Sequence, residues 1–207
     1  MYPSCERWDL EQTTVPGDLG LISSMLILAS QSPRRSELLK SAGIPFVAKA
    51  ANVDETVHPG EGPEDYAKRV AQQKAMAIEA APGDLVLGAD TVVVIDREIL
   101  GKPRDPDDAA RMLELLAGRK HQVITAICLR RGKEVKIDWG VTLVWFVPLT
   151  HEEIGDYVAT GEPMDKAGAY AIQGLASKFV QHIDGSYTNV VGLPIEVVYK
   201  HLRKWGA

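Results

Sequence analysis

The sequence has few cysteines and no apolar run long enough to span a membrane. Of its 207 residues, two are cysteines, Cys5 near the N-terminus and Cys128 in an apolar run, which is too few for a disulfide scaffold or a cysteine-based zinc site. No apolar run approaches the roughly 20 residues that cross a bilayer, and the N-terminus has no basic start followed by an apolar block. We therefore expect a cytoplasmic protein with no membrane partner.

Positive charge is also scarce. The chain has 23 basic and 28 acidic residues, for a formal net charge of −5. Binding to a nucleic-acid polymer needs clustered, unopposed lysine and arginine, so we expect no such partner, and any phosphate site must be local.

Gly-rich phosphate loops and nucleophile elbows are missing as well. The histidines show no metal-ligand spacing, which favours Mg²⁺ or Mn²⁺ held by carboxylates and substrate phosphates over zinc.

Length, composition and periodicity predict one α/β domain over residues 25–207. The 45% hydrophobic content is enough for one substantial core. Residues 1–24 mix proline, glycine and acidic residues without periodicity, as a flexible extension would. Extended segments are predicted at residues 26–29, 44–53, 85–95, 121–130, 134–147 and 178–183, with helices at 33–42, 63–80, 105–117, 150–160 and 194–205. The segment 163–174, rich in Gly and Ala, is predicted to be a functional loop or a short irregular helix.

The segment from residue 26 to 39 is the most informative, because an apolar strand runs directly into a helix start that carries two arginines. Ser32 suits the N-cap, and Pro33 suits the first helical position. The hydroxyls of Ser30 and Ser32 and the guanidinium groups of Arg34 and Arg35 would then converge at a helix N-terminus, which favours anions. This pattern predicts an anion-binding elbow; the alternative is a well-capped surface helix with solvated arginines.

Asp90 interrupts an apolar, β-branched strand together with Thr91. An ionised carboxylate in a buried strand needs a partner. It could be satisfied by backbone N–H groups, or it could serve as a general base or metal ligand at the carboxyl end of a central strand. Glu55 ends another extended segment and could supply a second carboxylate for a metal, although an exposed loop acid is an equally good interpretation.

Three lysines and one glutamine complete the candidate set. Lys102 follows Gly101 and precedes Pro103, which impose a defined loop shape on it. Lys74 on a helix and Lys166 in a loop would each, taken alone, be solvated surface charges. Gln173 offers both a donor and an acceptor, as reading the edge of a nucleobase requires, although a turn amide bonded to the backbone is the plainer alternative.

Four segments carry a resemblance to a known family: Ser30-Gln-Ser-Pro-Arg-Arg35, Gly88-Ala-Asp-Thr-Val-Val93, Gly101-Lys-Pro103 and the stretch 161–174. In this order they resemble the Maf family of nucleoside triphosphate pyrophosphatases. The resemblance extends from Leu26 to the C-terminal helix. It implies a long twisted mixed sheet flanked by helices, like that of the inosine triphosphate pyrophosphatases, and a homodimer.

The same resemblance implies a reaction and a set of residue roles. The reaction is hydrolysis of a nucleoside triphosphate between the α and β phosphorus atoms with a divalent cation, and Asp90 takes the place of the catalytic base. Arg34, Thr91 and Gln173 take positions associated with substrate choice, in a combination that resembles the subgroup preferring dTTP and UTP. The positions assigned to phosphate, metal or general site roles are matched by Ser30, Arg35, Glu55, Lys74, Lys102 and Lys166.

Two other functions remain open from the residues. One keeps the chemistry and changes the base, to 7-methyl-GTP or another modified nucleotide. The other is a non-catalytic nucleotide sensor that regulates cell division or septum formation. A carboxylate at position 90 argues against the sensor, because a pure binder gains nothing from placing negative charge near phosphates.

Overall fold

A computed structural model describes residues 25–206 of the chain. The predicted extension 1–24 lies outside these residues, so that boundary stays a prediction. Seven strands form one sheet: β1 (Leu26–Ala29), β2 (Val47–Lys49), β3 (Leu85–Ile95), β4 (Glu98–Leu100), β5 (Lys120–Arg131), β6 (Glu134–Phe146) and β7 (Val180–Asp184). The helices are α1 (Pro33–Ser41), α2 (Pro63–Met76), α3 (Pro106–Leu116), α4 (His151–Ala159), α5 (Tyr187–Val191) and α6 (Ile195–Lys204).

The sheet is mixed, as predicted, and its strand order is β2-β1-β3-β5-β6-β7, with β4 added to the far half of β3. β1 runs parallel to both β2 and β3, whereas β3, β5, β6 and β7 pair antiparallel. β3 is buried along nearly its whole length, which explains its run of apolar and β-branched residues. It is the central strand from which the site is built.

Helix α2 lies directly on β3, and the close approach depends on a glycine. A Cβ added at Gly88 would lie 2.2 Å from the carbonyl oxygen of Ala71 and 2.7 Å from the backbone nitrogen of Ala75. Small residues on the buried face of α2 therefore let its backbone contact the strand. This contact fixes the position of Lys74, which belongs to the same helical turn.

Local signals place most element boundaries correctly. Asp105 accepts a hydrogen bond from the Asp108 backbone N–H at the start of α3, and Thr150 and Glu153 form a capping box at the start of α4. The turn between β5 and β6 contains Gly132 with φ +55°. Boundaries set by local hydrogen bonding and backbone conformation were therefore readable from sequence.

Three predicted elements differ from the structure. The extended segment 44–53 forms a strand only at Val47–Lys49, because the short β1 offers pairing partners only at Ile27–Ala29. Helix α2 ends at Met76 rather than at residue 80, and the Arg130 side chain donates to carbonyls beyond and within its last turn. The extended segment predicted at 178–183 begins two residues later, as β7, because Leu175–Phe179 forms a 3-10 turn, and β7 pairs with β6.

The loop 163–174 is made of short 3-10 turns at Glu162–Asp165 and Ala167–Ala169, and a third such turn follows at Leu175–Phe179. This confirms the irregular helix predicted there. Within residues 25–206, no helix is both long and apolar enough to cross a membrane.

Candidate functional site

A cleft of about 700 Å³ opens where β1 ends and β3 continues. Its wall combines the start of α1, the loop 51–57, the middle of β3 and the loops around residues 102, 166 and 173. All of the residues predicted for the site line it: Ser30, Ser32, Arg34, Arg35, Glu55, Lys74, Asp90, Thr91, Lys102, Lys166 and Gln173. Tertiary structure thus brings together residues from seven separate segments.

Asp90 lies in the middle of β3, and the prediction that it ends a strand was wrong. β3 continues to Ile95 because its antiparallel pairing with β5 extends from Val86 to Val94. The strand that ends here is the neighbour, β1, whose last residue Ala29 pairs with Gly88. Asp90 therefore lies just beyond the end of a parallel strand, where the edge of β3 becomes free to face a ligand.

Lys74 joins the two candidate carboxylates. Its Nζ lies 2.8 Å from Asp90 Oδ1 and 2.8 Å from Glu55 Oε1. The side chains of Lys74 and Asp90 are 9% and 7% exposed, whereas that of Glu55 is 42% exposed. Asp90 is therefore satisfied by an ammonium group, not by backbone N–H groups, and Glu55 is more than an exposed loop acid.

The two carboxyl groups have pKa values displaced in opposite directions. Burial raises the pKa of Asp90, although Lys74 and Arg35 oppose this. Burial also acts to raise the pKa of Glu55, but the hydrogen bond and charge of Lys74, helped by Lys102, outweigh it and leave that pKa lowered. A pair displaced in this way contains one carboxylate that accepts a proton more readily and one that stays ionised to lower pH.

The loop that carries Glu55 is fixed by α2. The Tyr66 hydroxyl donates to the Glu55 carbonyl at 2.8 Å, and Arg69 Nη2 donates to the Thr56 carbonyl at 2.9 Å. Arg69 also pairs with Glu61 at 2.6 Å, and this hydrogen bond lowers the pKa of Glu61 to about 2. These contacts were not predicted from the sequence. The signal that could have indicated them is the pair Tyr66 and Arg69, three positions apart on α2.

Arg35 is buried, so it is not a solvated surface arginine. Its Nε donates to the Gly192 carbonyl at 2.8 Å, Nη1 to Ser30 Oγ at 3.1 Å and Nη2 to Thr91 Oγ1 at 3.1 Å. Burial lowers the pKa of Arg35, with the charge of Asp90 opposing it. The three bonds hold the guanidinium at the cleft wall.

Ser32 occupies the N-cap position of α1, but its side chain makes no capping hydrogen bond. Instead, the Ser32 backbone N–H donates to Ser30 Oγ at 3.2 Å. Ser32 therefore takes the predicted N-cap position, but the prediction that its side chain caps the helix was wrong. The Ser32 hydroxyl is left facing the cleft.

Arg34 and Lys166 meet at one carboxylate that the sequence did not single out. Arg34 Nη1 lies 3.3 Å from Asp165 Oδ2, and Lys166 Nζ forms an ion pair with Asp165 Oδ1. Burial acts to raise the pKa of Asp165, but Lys166 and Arg34 together leave it lowered. Asp165 thus pairs with Arg34 and Lys166 through a negatively charged oxygen, and a phosphate oxygen in the cleft would carry the same sign of charge.

Lys102 and Gln173 are exposed, like Glu55, but in the part of the chain that the structure describes they differ from it in having no partner. Within residues 25–206, neither side chain has a hydrogen bond or ion pair of its own, so Gln173 is not a turn amide bonded to the backbone. The Gln173 loop is held by Glu162, whose carboxylate accepts the Leu175 backbone N–H at 3.1 Å. A Cβ at Gly174 would lie 2.3 Å from Glu162 Oε1, so a larger residue there would force the Glu162 side chain to move.

The site offers a partial ligand set for a hard cation. Among residues 25–206, no cluster of three or more His, Cys, Asp or Glu side chains could hold a metal by itself. Asp90 and Glu55, however, meet at the same ammonium group. Mg²⁺ is commonly bound by one or two carboxylates together with substrate phosphates and water, so these residues fit such an ion when a polyphosphate is present.

Comparison with known proteins gives consistent matches over most of the chain. A family model described as Maf-like protein matches residues 25–205. A dTTP/UTP pyrophosphatase of Pseudoalteromonas atlantica is 54% identical over 176 residues, covering 83% of this chain and 92% of that protein. Another, from Koribacter versatilis, is 50% identical over 182 residues, covering 87% and 94%.

The structure gives an independent match to the fold. The Ham1 protein of Staphylococcus aureus superposes with a TM-score of 0.50 at 15% identity, covering 87% of this chain and 99% of that one. This shared architecture is the one that the sequence motifs implied. Because the family model matches residues 25–205 and the relatives share half or more of their aligned residues, this chain belongs to the Maf-like protein family.

Proposed function

We propose that this protein hydrolyses dTTP and UTP to the nucleoside monophosphate and pyrophosphate, and so removes surplus or modified pyrimidine nucleotides. The observation that carries the proposal is the buried Asp90–Lys74 ion pair, joined by the half-exposed Glu55, inside a cleft lined by four further cations, Arg34, Arg35, Lys102 and Lys166. Relatives named for this activity share half or more of their aligned residues with this chain, which supports the same assignment.

In this reaction, water attacks the α phosphorus atom and the bond from that atom to the bridging oxygen breaks. Asp90 accepts the proton that the water loses, and pyrophosphate leaves with the bridging oxygen. Phosphoryl transfer depends mainly on positioning and on neutralising charge, which is what the cationic wall would provide. The raised pKa of Asp90 makes its carboxylate a stronger base than an exposed aspartate.

A divalent cation, Mg²⁺ or Mn²⁺, belongs to this proposal as the group that offsets charge on the phosphates. Glu55 and Asp90 would hold it. Lys74 contacts the same two carboxylates at 2.8 Å each. Chelation should therefore abolish turnover without unfolding the protein, which circular dichroism in EDTA would check.

We assign the selection of the nucleobase to Arg34, Thr91 and Gln173. The exposed amide of Gln173 can donate to a carbonyl and accept from an N–H, and the edge of thymine or uracil presents both. A modified purine such as 7-methyl-GTP is the alternative within the same chemistry. A panel of dTTP, UTP, CTP, GTP and 7-methyl-GTP, scored by pyrophosphate release, separates the two.

The test of the chemistry is Asp90→Asn. We expect turnover of UTP to fall by about 10²–10⁴-fold, the usual contribution of a general base, while UTP still binds. Asp156→Asn, at an exposed position of α4, is the matched control and should keep full activity. Full activity in Asp90→Asn would remove the base assignment, and binding of UTP by wild type without any pyrophosphate would favour the sensor.

The proposal also includes a homodimer in the cytoplasm, the compartment that supplies nucleoside triphosphates and Mg²⁺. Sedimentation equilibrium would measure the dimer directly, against the monomer mass of 22.6 kDa.

A further inference from the structure

Two buried residues behind the cleft, Thr125 and Asn189, extend the hydrogen-bonding of Arg35 into the core. Both are 0% exposed, and neither lines the cleft. Thr125 Oγ1 lies 3.0 Å from Thr91 Oγ1 and donates to the Asn189 carbonyl at 2.8 Å. The Asn189 side chain donates to the Val123 carbonyl at 2.9 Å and to Thr142 Oγ1 at 3.0 Å.

The donors in this chain have a fixed direction. A carbonyl oxygen only accepts, so the single hydroxyl proton of Thr125 belongs to its bond with Asn189. Thr125 must then accept from Thr91, and Thr91 must accept from Arg35. The order of donation is therefore Arg35 Nη2 to Thr91, Thr91 to Thr125, and Thr125 to the Asn189 carbonyl.

The direction restricts what Thr91 can do. Its other acceptor, the Gly192 carbonyl, is 3.4 Å away, which is long for a hydroxyl donor. With its proton committed to Thr125, Thr91 has none to donate to a ligand. Thr91 lines the cleft and also accepts from Arg35 Nη2, so the position of that guanidinium gives it a second way to act on a ligand.

Asn189 connects this chain of hydrogen bonds back to Arg35. Its backbone belongs to α5, three residues before Gly192, whose carbonyl accepts from Arg35 Nε at 2.8 Å. The Asn189 amide orientation is fixed because Val123 offers it a carbonyl, which only an N–H can satisfy. The side chain thereby ties α5, and with it Gly192, to β5 and β6.

We propose that Thr125 and Asn189 are positioning residues that orient the Arg35 guanidinium toward the phosphates of a nucleotide, and that Thr91 acts on substrate choice through Arg35 rather than by donating to the base. The link to phosphates rests on the proposed function; the orientation of Arg35 does not.

The test uses Thr125→Val, which keeps the shape of the side chain and removes the hydroxyl. In ¹⁵N–¹H spectra of the wild-type protein, we expect slowly exchanging Nη2 protons for Arg35. In Thr125→Val the Thr91 proton is free to turn to the Gly192 carbonyl, so the Arg35 Nη2 protons should exchange about tenfold faster. Thr125→Ser keeps the hydroxyl and should retain the slow exchange.

The functional arm measures inorganic pyrophosphate affinity by calorimetry and UTP turnover. Thr125→Val should bind pyrophosphate about tenfold more weakly and raise KM, with kcat within about twofold of wild type, since Asp90 is untouched. Ile154→Val on α4, a core change at a residue that does not line the cleft, controls for loss of stability and should leave both values unchanged.

Unchanged Arg35 exchange in Thr125→Val would overturn the proposal whatever the substrate proves to be, as would an equal loss of pyrophosphate affinity in Thr125→Ser. A wild-type protein that shows the slow Arg35 protons but releases no pyrophosphate from any nucleotide would instead refute the proposed function and leave the positioning of Arg35 established.

Discussion

Replacing Lys74 with methionine should destabilise the protein and change its dependence on pH. Lys74 is the shared partner of Asp90 and Glu55, at 2.8 Å from each. Removing one partner of a buried ion pair costs about 3–5 kcal/mol. The lower end applies here, because Glu55 is 42% exposed and can be solvated and because Arg35 also compensates Asp90.

A loss of about 3 kcal/mol corresponds to a melting temperature lower by about 6–12 °C in a chain of this size. Thermal unfolding followed by circular dichroism at pH 7 measures it. Lys200→Met is the matched control, because Lys200 pairs with Asp138 at 3.4 Å on the surface and is 58% exposed. Its loss should change stability by less than about 1 kcal/mol.

The pH dependence follows from the direction of the Asp90 pKa. Because that pKa is raised in the folded protein, the contribution of Asp90 to stability is largest below its unfolded value of 3.8 and is lost as pH rises through its folded value. Removing Lys74 raises the folded pKa further. The destabilisation caused by Lys74→Met should therefore be full at pH 7 and shrink toward pH 4.

A double variant isolates the pair. Lys74→Met with Asp90→Asn removes both charges and should recover most of the melting temperature lost in Lys74→Met alone. A drop of less than about 2 °C in the single variant, with no recovery in the double variant, would refute the view that these side chains form a buried, interdependent pair.

Two further predictions concern other titratable groups. Burial lowers the pKa of His121 to about 4. The contribution of His121 to stability should therefore be full above pH 6.5 and fall by about 3 kcal/mol as pH drops to 4. Urea unfolding should show this loss in the wild-type protein and not in His121→Gln, and equal pH dependence in both proteins would contradict it. Asp165→Asn removes the carboxylate that competes with phosphate for Arg34 and Lys166. Calorimetry should therefore show that pyrophosphate binds several-fold more tightly, with a gain of about 1 kcal/mol in binding free energy. Weaker binding would mean that Asp165 orients these two cations instead.

Much of the fold could be predicted because its signals are local. The β-branched run 85–95 specified the central strand, the Thr150–Glu153 pair specified the start of α4, and Gly132 specified a turn. Each depends on the conformation of a few consecutive residues, which side-chain type determines directly. Edge elements such as β2 were less predictable, because their length depends on the partner strand.

The candidate site was likewise predictable from sequence only in part. The Ser-Pro-Arg-Arg start of α1, and the carboxylate within an apolar strand, identified the residues from sequence, since a charge in such a place requires a partner. The identity of that partner was not available from sequence. Lys74 alone resembled a surface lysine, and Asp165 resembled an ordinary loop acid.

The sequence by itself determined the residue types of a phosphate-binding cleft and the strands and helices that carry them. Only the tertiary structure decided that Asp90 lies mid-strand beside the end of β1, that Lys74 bridges two carboxylates, and that Arg35 bonds to a carbonyl 157 positions away. These facts depend on where one strand stops relative to its neighbour and on contacts between distant segments, and neither is encoded in any short stretch of chain.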